Sequence, residues 1–169
     1  MLMTPITYTF NPWNNTDFNR RNGHIHIWVN VFSTLYSFTN LSFLFDTGAY
    51  ITVISRSRAE QIGLQLKGEH TANLIGFNKE LGFDKAEIVI VPKIELGKFF
   101  IEDVQVLVPL EDIDVLEVIG ENVLECFNYV VDHEVDHIYF AKNPNPKPYI
   151  NIDKGIDLSC GRVMVQEAT

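Results

Sequence analysis

Cysteine is scarce in this sequence. Only Cys126 and Cys160 occur among its 169 residues, which is too few for a disulfide framework, and their spacing fits no metal-binding motif. We therefore predict no metal and no other cofactor, and we expect Cys126 to be a buried free thiol, since free cysteine commonly packs as a small hydrophobe. The N-terminus has no basic stretch followed by an apolar one, so a cytoplasmic location is expected.

Positive charge is also in short supply. Lysine and arginine number 13 against 22 acidic residues, which gives a formal net charge of −9. This balance argues against a nucleic-acid partner or an anionic membrane surface, because no basic surplus exists to neutralise phosphates. Residues 25–45 carry no charged side chain and are about as long as a membrane span. Eight of these 21 residues are polar, however, and the run begins with strand-like alternation, so we predict sheet and no membrane partner.

The rest of the composition is that of one globular domain, with 46% hydrophobic and 12% aromatic residues. Short runs of Ile, Val and Leu are separated by Gly, Asn and Pro, which predicts a mainly β fold. The predicted strands cover residues 25–33, 41–45, 71–75, 86–91, 93–96 and 104–108, with a hairpin formed by 129–132 and 137–140. The polar segment that contains His133 and His137 is predicted to be the exposed turn of this hairpin rather than a metal site.

Two short helices complete the predicted secondary structure. Ser57 with Glu60 three residues later fits a capping box, and Gly63 fits a C-terminal cap. A second helix is predicted at residues 121–127. The predicted organisation is an irregular N-terminal arm (1–23), a central domain (24–142), and a Pro-rich segment with a C-terminal extension (143–169).

One motif carries the most information about chemistry. The apolar residues 43–45 run directly into Asp46, Thr47, Gly48 and Ala49. A strand thus delivers a carboxylate into a turn, where Gly48 allows close backbone approach and the Thr47 hydroxyl can tie the turn to its surroundings. The alternative is that Asp46 only caps a tight turn, as aspartate often does.

A second motif follows 74 residues later, where Val118 and Ile119 run through Gly120 into the start of a helix. Between the two motifs, residues 72–79 fit a β-hairpin with an apolar tip. This order of turn, short helix, hairpin, strands and apolar-Ile-Gly-helix resembles the retropepsin-like aspartic proteases, the single-lobed relatives of pepsin, over about residues 25–140. The resemblance implies a closed or partly open β-barrel of the acid-protease type within the central domain.

The resemblance also implies an aspartic endopeptidase. Such an enzyme uses one carboxylate to activate water and one carboxylic acid to protonate the carbonyl oxygen of the peptide bond. This sequence has a single Asp-Thr-Gly, so the second carboxyl group would be Asp46 of another copy, across a two-fold axis. We therefore expect a homodimer that cleaves peptides or proteins with apolar side chains around the scissile bond.

Further roles follow from the same resemblance. Thr47 would join the paired turns across the dimer axis, and the Gly48 carbonyl would face the substrate backbone. A flap would close over the substrate and exclude water. The residues expected to bind substrate are Ala49, Tyr50, Ile75, Gly76 and Phe77, of which the last three form the flap, while Ile119 and Gly120 belong to the second motif.

The sequence departs from many retroviral members at two paired positions. Those members have an acidic residue two positions after the Gly of the first motif, and it pairs with an Arg directly after the second-motif Gly. Tyr50 and Glu121 stand at these positions here, so the bracing ion pair is absent, and a hydrogen bond from the Tyr50 hydroxyl to Glu121 is a possible replacement. The loss of this pair supports an alternative function, a catalytically idle retropepsin-fold module for peptide binding or dimerisation.

Overall fold

Long, mostly antiparallel strands make up most of the described chain. The computed structural model describes residues 15–21, 23–49, 51–68, 71–73, 85–111, 117–143, 149–151, 156–158 and 163–165. The strands are β1 (Asn15–Arg21), β2 (His24–Thr34), β3 (Ser37–Phe45), β4 (Thr71–Asn73), β5 (Lys85–Leu96), β6 (Phe99–Pro109), β7 (Val118–Ile119), β8 (Phe127–Asp132), β9 (His137–Lys142), β10 (Tyr149–Asn151), β11 (Ile156–Leu158) and β12 (Val163–Val165). The helices are α1 (Arg56–Gln61) and α2 (Glu121–Leu124). The predicted mainly β fold with two short helices is confirmed.

One large sheet contains ten of these strands. Its path runs in the order β12-β6-β5-β2-β1-β9-β8, while β3 pairs with β2 and β7, and β4 pairs with β5. The sheet ends at β12 and β8, so it is open rather than closed into a barrel. Within the described ranges, strands β10 and β11 pair with each other and with no other strand. No helix in the described ranges is long and apolar enough to cross a membrane.

Alternation along β2 shows how the sequence builds this sheet. Ile27, Val29 and Val31 are at most 1% exposed, whereas Trp28 between them is 43% exposed. Successive side chains of a strand point to opposite faces, so every second residue enters the core. On the neighbouring strand β3, Phe43 pairs with Ile27 and joins the same core.

The parallel pairing of β3 with β7 positions the two sequence motifs. Leu44 lies opposite Val118 and Phe45 opposite Ile119, although about 74 residues separate the strands in sequence. Val53 then pairs with Val118 from the other side, through two backbone hydrogen bonds of 2.8 and 3.0 Å. The chain after Asp46 therefore passes beside the second motif, so that the second motif lies between β3 and Val53.

Several local predictions are corrected by the structure. Residues 15–21 belong to the arm predicted to be irregular, but they form β1, because their backbone pairs with β2 and with β9. Helix α1 is capped by Ser55, whose hydroxyl accepts a hydrogen bond from the Arg58 N–H at 3.3 Å, and not by Ser57. Gly63 follows the helix with a φ of 83°, as predicted for its C-terminal cap.

The second helix and the strands around it also differ from the prediction. Helix α2 ends at Leu124 instead of continuing to residue 127, because Phe127 enters β8 and packs against Phe99 and Phe140 in the core. The two strands predicted at 86–91 and 93–96 are one strand, β5, which pairs with β6 on both sides of Pro92. The hairpin predicted around residues 129–140 is confirmed as β8 and β9, and the segment between them is a turn.

Cys126 corrects a further prediction. It is 1% exposed, as expected, but it is disulfide-bonded rather than a free thiol.

A buried carboxylate fixes α1 against the sheet. The side chain of Glu87 on β5 is 2% exposed, and its Oε1 lies 3.8 Å from Nη1 of Arg56. Its Oε2 accepts a hydrogen bond from the backbone N–H of Gly68 in the segment after α1. Arg58 on the same helix lies 3.8 Å from Glu117, but both of these side chains are more exposed, at 42% and 15%. The two arginines therefore face carboxylates of very different burial.

Replacing each arginine with methionine should show how much each of these two ion pairs contributes to the free energy of unfolding. Arg56→Met leaves the charge of Glu87 buried without its cation, and we expect a loss of about 3 kcal/mol in the free energy of unfolding. Arg58→Met removes a solvent-screened pair and should cost less than about 1 kcal/mol. Urea unfolding at pH 7 measures both values, and equal losses would contradict a special role for the buried pair.

Candidate active site

Asp46 follows the last residue of β3 and lies in a turn that opens to solvent. The Asp46 residue is half-buried, whereas Thr47 and Gly48 are exposed. The Asp46 carboxylate accepts a hydrogen bond from the Gly48 N–H at 2.8 Å, and the Asp46 carbonyl accepts one from the Ala49 N–H at 3.3 Å. The turn therefore orients its own carboxylate while leaving the adjoining backbone accessible.

The second motif supports this turn from behind. The Asp46 N–H donates to the Ile119 carbonyl at 3.3 Å, and the Glu121 N–H donates to the Ala49 carbonyl at 2.7 Å. Residues 119–121 thus hold both ends of the turn 46–49. Because these hydrogen bonds join backbone atoms, their formation depends on how closely the two segments approach.

Gly120 makes that approach possible. A Cβ atom at residue 120 would lie 2.6 Å from the carbonyl carbon of Ile51 and 2.9 Å from the oxygen of Ala49. Both distances are shorter than any ordinary contact between such atoms. The glycine of the second motif is therefore required by packing, independently of any catalytic role.

Behind the turn lies a buried polar cluster formed by Thr52 and Asn122. Thr52 is 3% exposed and Asn122 is 7% exposed. The Thr52 N–H and hydroxyl both donate to Oδ1 of Asn122, at 2.8 and 2.9 Å. The Thr52 hydroxyl accepts from the Gly120 N–H at 3.1 Å, and Nδ2 of Asn122 donates to the Gln105 carbonyl at 2.8 Å.

Carboxyl groups lie at both ends of the short helix α2, with Glu121 as its first residue and Glu125 directly after its last. Burial raises the pKa of Glu121 above 4.5, and the charge and hydrogen bond of Glu125 raise it further, followed by the charge of Asp46. Burial also raises the pKa of Tyr129 above 10.0, with additional contributions from Glu121 and Glu125. The ring of Tyr129 meets Phe45, the residue before Asp46, edge-on at 5.1 Å. Glu121 therefore lies within electrostatic reach of Asp46 in an environment that favours its protonated form.

The structure brings together most of the residues singled out in the sequence. Asp46, Thr47, Gly48 and Ala49 form one turn, and Ile119 and Gly120 lie directly against it. The remaining predicted residues lie outside the described part of the chain; they are Tyr50, Ile75, Gly76 and Phe77. The predicted hydrogen bond from Tyr50 to Glu121 therefore also lies outside it.

Sequence reasoning assigned no role to Thr52 or Asn122. A signal was present, because Thr52 lies between the apolar residues Ile51 and Val53, and Asn122 directly precedes Val123 and Leu124. A buried polar side chain in such a setting needs a hydrogen-bonding partner. The sequence did not indicate that each would be the partner of the other.

Comparison with known proteins agrees with this geometry. A family model for aspartyl proteases matches residues 38–122, which is half of the chain and includes both motifs. The chain belongs to the aspartyl protease family. Its fold is similar to that of a retropepsin-like aspartic protease from Rickettsia conorii, with a TM-score of 0.56, 23% sequence identity, and coverage of 75% of this chain and 87% of that chain. No curated protein matches the sequence.

In this aspartyl protease fold, Gly120 provides a test of the packing between the motifs. Gly120→Ala places a methyl group against backbone atoms that cannot rotate away, and we expect a loss of about 3 kcal/mol or more in the free energy of unfolding. Gly63→Ala is the control, because its site is open and the substitution meets only the strain of a positive φ, worth about 1 kcal/mol. Urea unfolding measures both, and similar losses would show that the close approach is not limiting.

Glu121 should make the stability of the fold depend on pH. A carboxyl group whose pKa is raised on folding binds its proton more tightly in the folded chain, so its contribution favours folding at low pH and is lost as the pH rises above 4.5. Glu121→Gln should therefore unfold like the wild type near pH 4 and become more stable than it toward pH 7. The glutamine amide can still donate to Glu125.

Thermal unfolding measured from pH 4 to 8 tests this dependence on pH. Glu134→Gln, in the exposed turn between β8 and β9, controls for the loss of one negative charge. A Glu121→Gln protein that is less stable than the wild type at pH 7 would refute the expectation.

Proposed function

We propose that the chain is an aspartic endopeptidase whose catalytic residue is Asp46. The observation that supports this most directly is the exposed turn at the end of β3. There the carboxylate of Asp46 is oriented by the Gly48 N–H at 2.8 Å and remains half-exposed. Family membership supplies the reaction class, since the matched residues 38–122 include this turn.

The chemistry requires two carboxyl groups in one site. One takes a proton from water as the water attacks the peptide carbonyl carbon, and the other gives a proton to the carbonyl oxygen. Glu121 is the nearby carboxyl within the same chain, but it is hydrogen-bonded to Glu125 and lies on a helix rather than in a second turn. The partner of Asp46 is therefore proposed to be Asp46 of a second copy.

The exposure of the turn supports this homodimer. Thr47 and Gly48 lie at the surface of the single chain, where a second turn can approach across a two-fold axis. In such an isologous contact each Thr47 meets the other turn, and a hydrogen bond formed by one is formed by both. A dimer carries twice the charge of −9, so we propose that added salt favours association by screening the repulsion.

The substrate is proposed to lie extended between the turn and a flap. Strand β4 pairs with the beginning of β5, with Thr71 opposite Glu87 and Asn73 opposite Lys85. This antiparallel pairing supports a hairpin whose tip contains Ile75, Gly76 and Phe77, the proposed flap. Ala49 and Tyr50 would line the opposite side, with main-chain hydrogen bonds holding the peptide and side pockets reading its side chains.

One observation favours the alternative of an idle module for peptide binding or dimerisation. Glu121, at the position where many retroviral members of the resembled family have an arginine, adds negative charge near Asp46. This residue braces no ion pair with the first motif, so the dyad of an assembled dimer would lack that support.

Asp46→Asn distinguishes the two functions. We expect the variant to keep its fold and its dimer and to lose essentially all cleavage of a diverse peptide pool between pH 3 and 8, because an amide cannot act as the base. Asp103→Asn is the matched control, since Asp103 is exposed on β6 with a φ of 53° that asparagine also tolerates. Absence of cleavage by the wild-type protein at concentrations where it is dimeric would favour the idle module.

Mixing the two proteins tests the shared dyad. If each site needs Asp46 from both copies, equal amounts of wild type and Asp46→Asn that exchange freely leave only about one quarter of the dimers active. The rate per total dimer should fall accordingly, while mixing with Asp103→Asn should not lower it. A rate of about three quarters would show that one copy of Asp46 is sufficient, because only the dimers with two substituted copies would then be inactive.

A further inference from the structure

The buried Thr52–Asn122 cluster lies directly behind the turn that carries Asp46, and its hydrogen bonds reach the segment that holds this turn. We propose that Thr52 and Asn122 are positioning residues. They fix the position and orientation of the Asp46 turn (residues 46–49) relative to residues 119–121, without touching the substrate. The inference rests on the proposed peptidase function for its kinetic consequences. Its structural part concerns the backbone of residues 46–49 and stands separately.

The Thr52 hydroxyl acts both as a hydrogen-bond donor and as a hydrogen-bond acceptor. It donates to Asn122 Oδ1 at 2.9 Å and accepts from the Gly120 N–H at 3.1 Å. The same Oδ1 also receives the Thr52 backbone N–H at 2.8 Å. Valine has the shape of threonine but can form neither side-chain bond, whereas serine can form both.

The Asn122 carboxamide is equally specific. Its oxygen accepts two hydrogen bonds from Thr52, and its nitrogen donates to the Gln105 carbonyl on β6 at 2.8 Å. An ionised aspartate could accept the first two but could not donate the third, and leucine could form none. The cluster therefore joins three segments, namely the one after the Asp46 turn, the second motif and β6.

Two further steps connect the cluster to Asp46. Thr52 binds the N–H of Gly120, and the residues on either side of Gly120 hold the turn, since the Ile119 carbonyl accepts from Asp46 and the Glu121 N–H donates to Ala49. A shift of residues 119–121 would therefore move both ends of the turn. Misplacement of a catalytic group by about 1 Å can lower a rate by about 100-fold, even when the substitution is distant from the reacting atoms.

The first test compares Thr52→Val with Thr52→Ser. We expect Thr52→Val to lower kcat by about 10- to 100-fold, with KM changed by less than about threefold because the substrate contacts remain. Thr52→Ser restores the hydroxyl and should keep kcat within about threefold of the wild type. If Thr52→Val does not fold, Thr52→Ala against Thr52→Ser repeats the loss of the hydroxyl without the γ-methyl group.

Val123→Ala is the control for a general loss of stability. Val123 is fully buried in the same helix as Asn122 but forms no part of the cluster. Assayed at a temperature where all variants are folded, Val123→Ala should retain the kcat of the wild type. A kcat that falls equally in Val123→Ala and Thr52→Val, or that is unchanged in Thr52→Val, overturns the proposal.

Amide hydrogen exchange gives a readout that does not depend on peptidase activity. The N–H groups of Asp46 and Glu121 form the two hydrogen bonds between the turn and residues 119–121, and we expect both to exchange faster in Thr52→Val than in Thr52→Ser or Val123→Ala. If the wild type cleaves no peptide but this exchange pattern is found, the proposed function fails and the positioning role stands. Unchanged exchange in Thr52→Val overturns the positioning role, whatever the activity.

Discussion

Two backbones pass so closely at Gly120 that a single added carbon would lie 2.6 Å from the carbonyl carbon of Ile51. This contact sets the separation between the segment after Asp46 and the second motif. The hydrogen bond from Glu121 to Ala49, at 2.7 Å, forms at this separation, as does the one from Gly120 to the Thr52 hydroxyl. The parallel pairing of β3 with β7 brings the segments together, and the missing side chain determines how near they come.

The features that the sequence predicted are those with local causes. The alternation of buried and exposed residues along β2 follows from the period of two in a strand, and it can be read within a few residues. The Asp-Thr-Gly turn, the Gly120 motif and the hairpin of β8 and β9 likewise have short signatures. The proximity of Asp46 to Gly120 was expected because the order of the motifs resembles a known family, and no local pattern implied it.

The features that were missed depend on residues distant in sequence. Thr52 and Asn122 are 70 positions apart, and nothing near either of them specifies the other. Strand β1 lies in a polar segment crowded with asparagine, where propensity disfavours a strand, and its pairing with β2 and β9 overrides that local preference. The cap of α1 was misplaced by two residues because two serines, Ser55 and Ser57, both fit the pattern of a capping residue.

The carboxyl group of Glu121, near Asp46, lies in an environment that disfavours its ionised form. Burial and the neighbouring Glu125 raise the pKa of Glu121, so its ionised form is less favourable in the folded chain than in water. Groups perturbed in this way concentrate at functional sites, although structural clusters also produce them. Here the perturbed group begins the helix whose first backbone N–H holds the candidate catalytic turn.

The position of β1 in the sheet determines which N-terminal residues the folded sheet needs. In the path of the large sheet it is the one strand between β2 and β9, so it connects the β8–β9 hairpin to the remaining strands. A fragment that started at residue 24 would expose one edge of β2 and another of β9, each with unpaired backbone groups. Such edges readily recruit strands from other molecules. Strand β1 therefore covers backbone edges of β2 and β9 that would otherwise be open to such pairing.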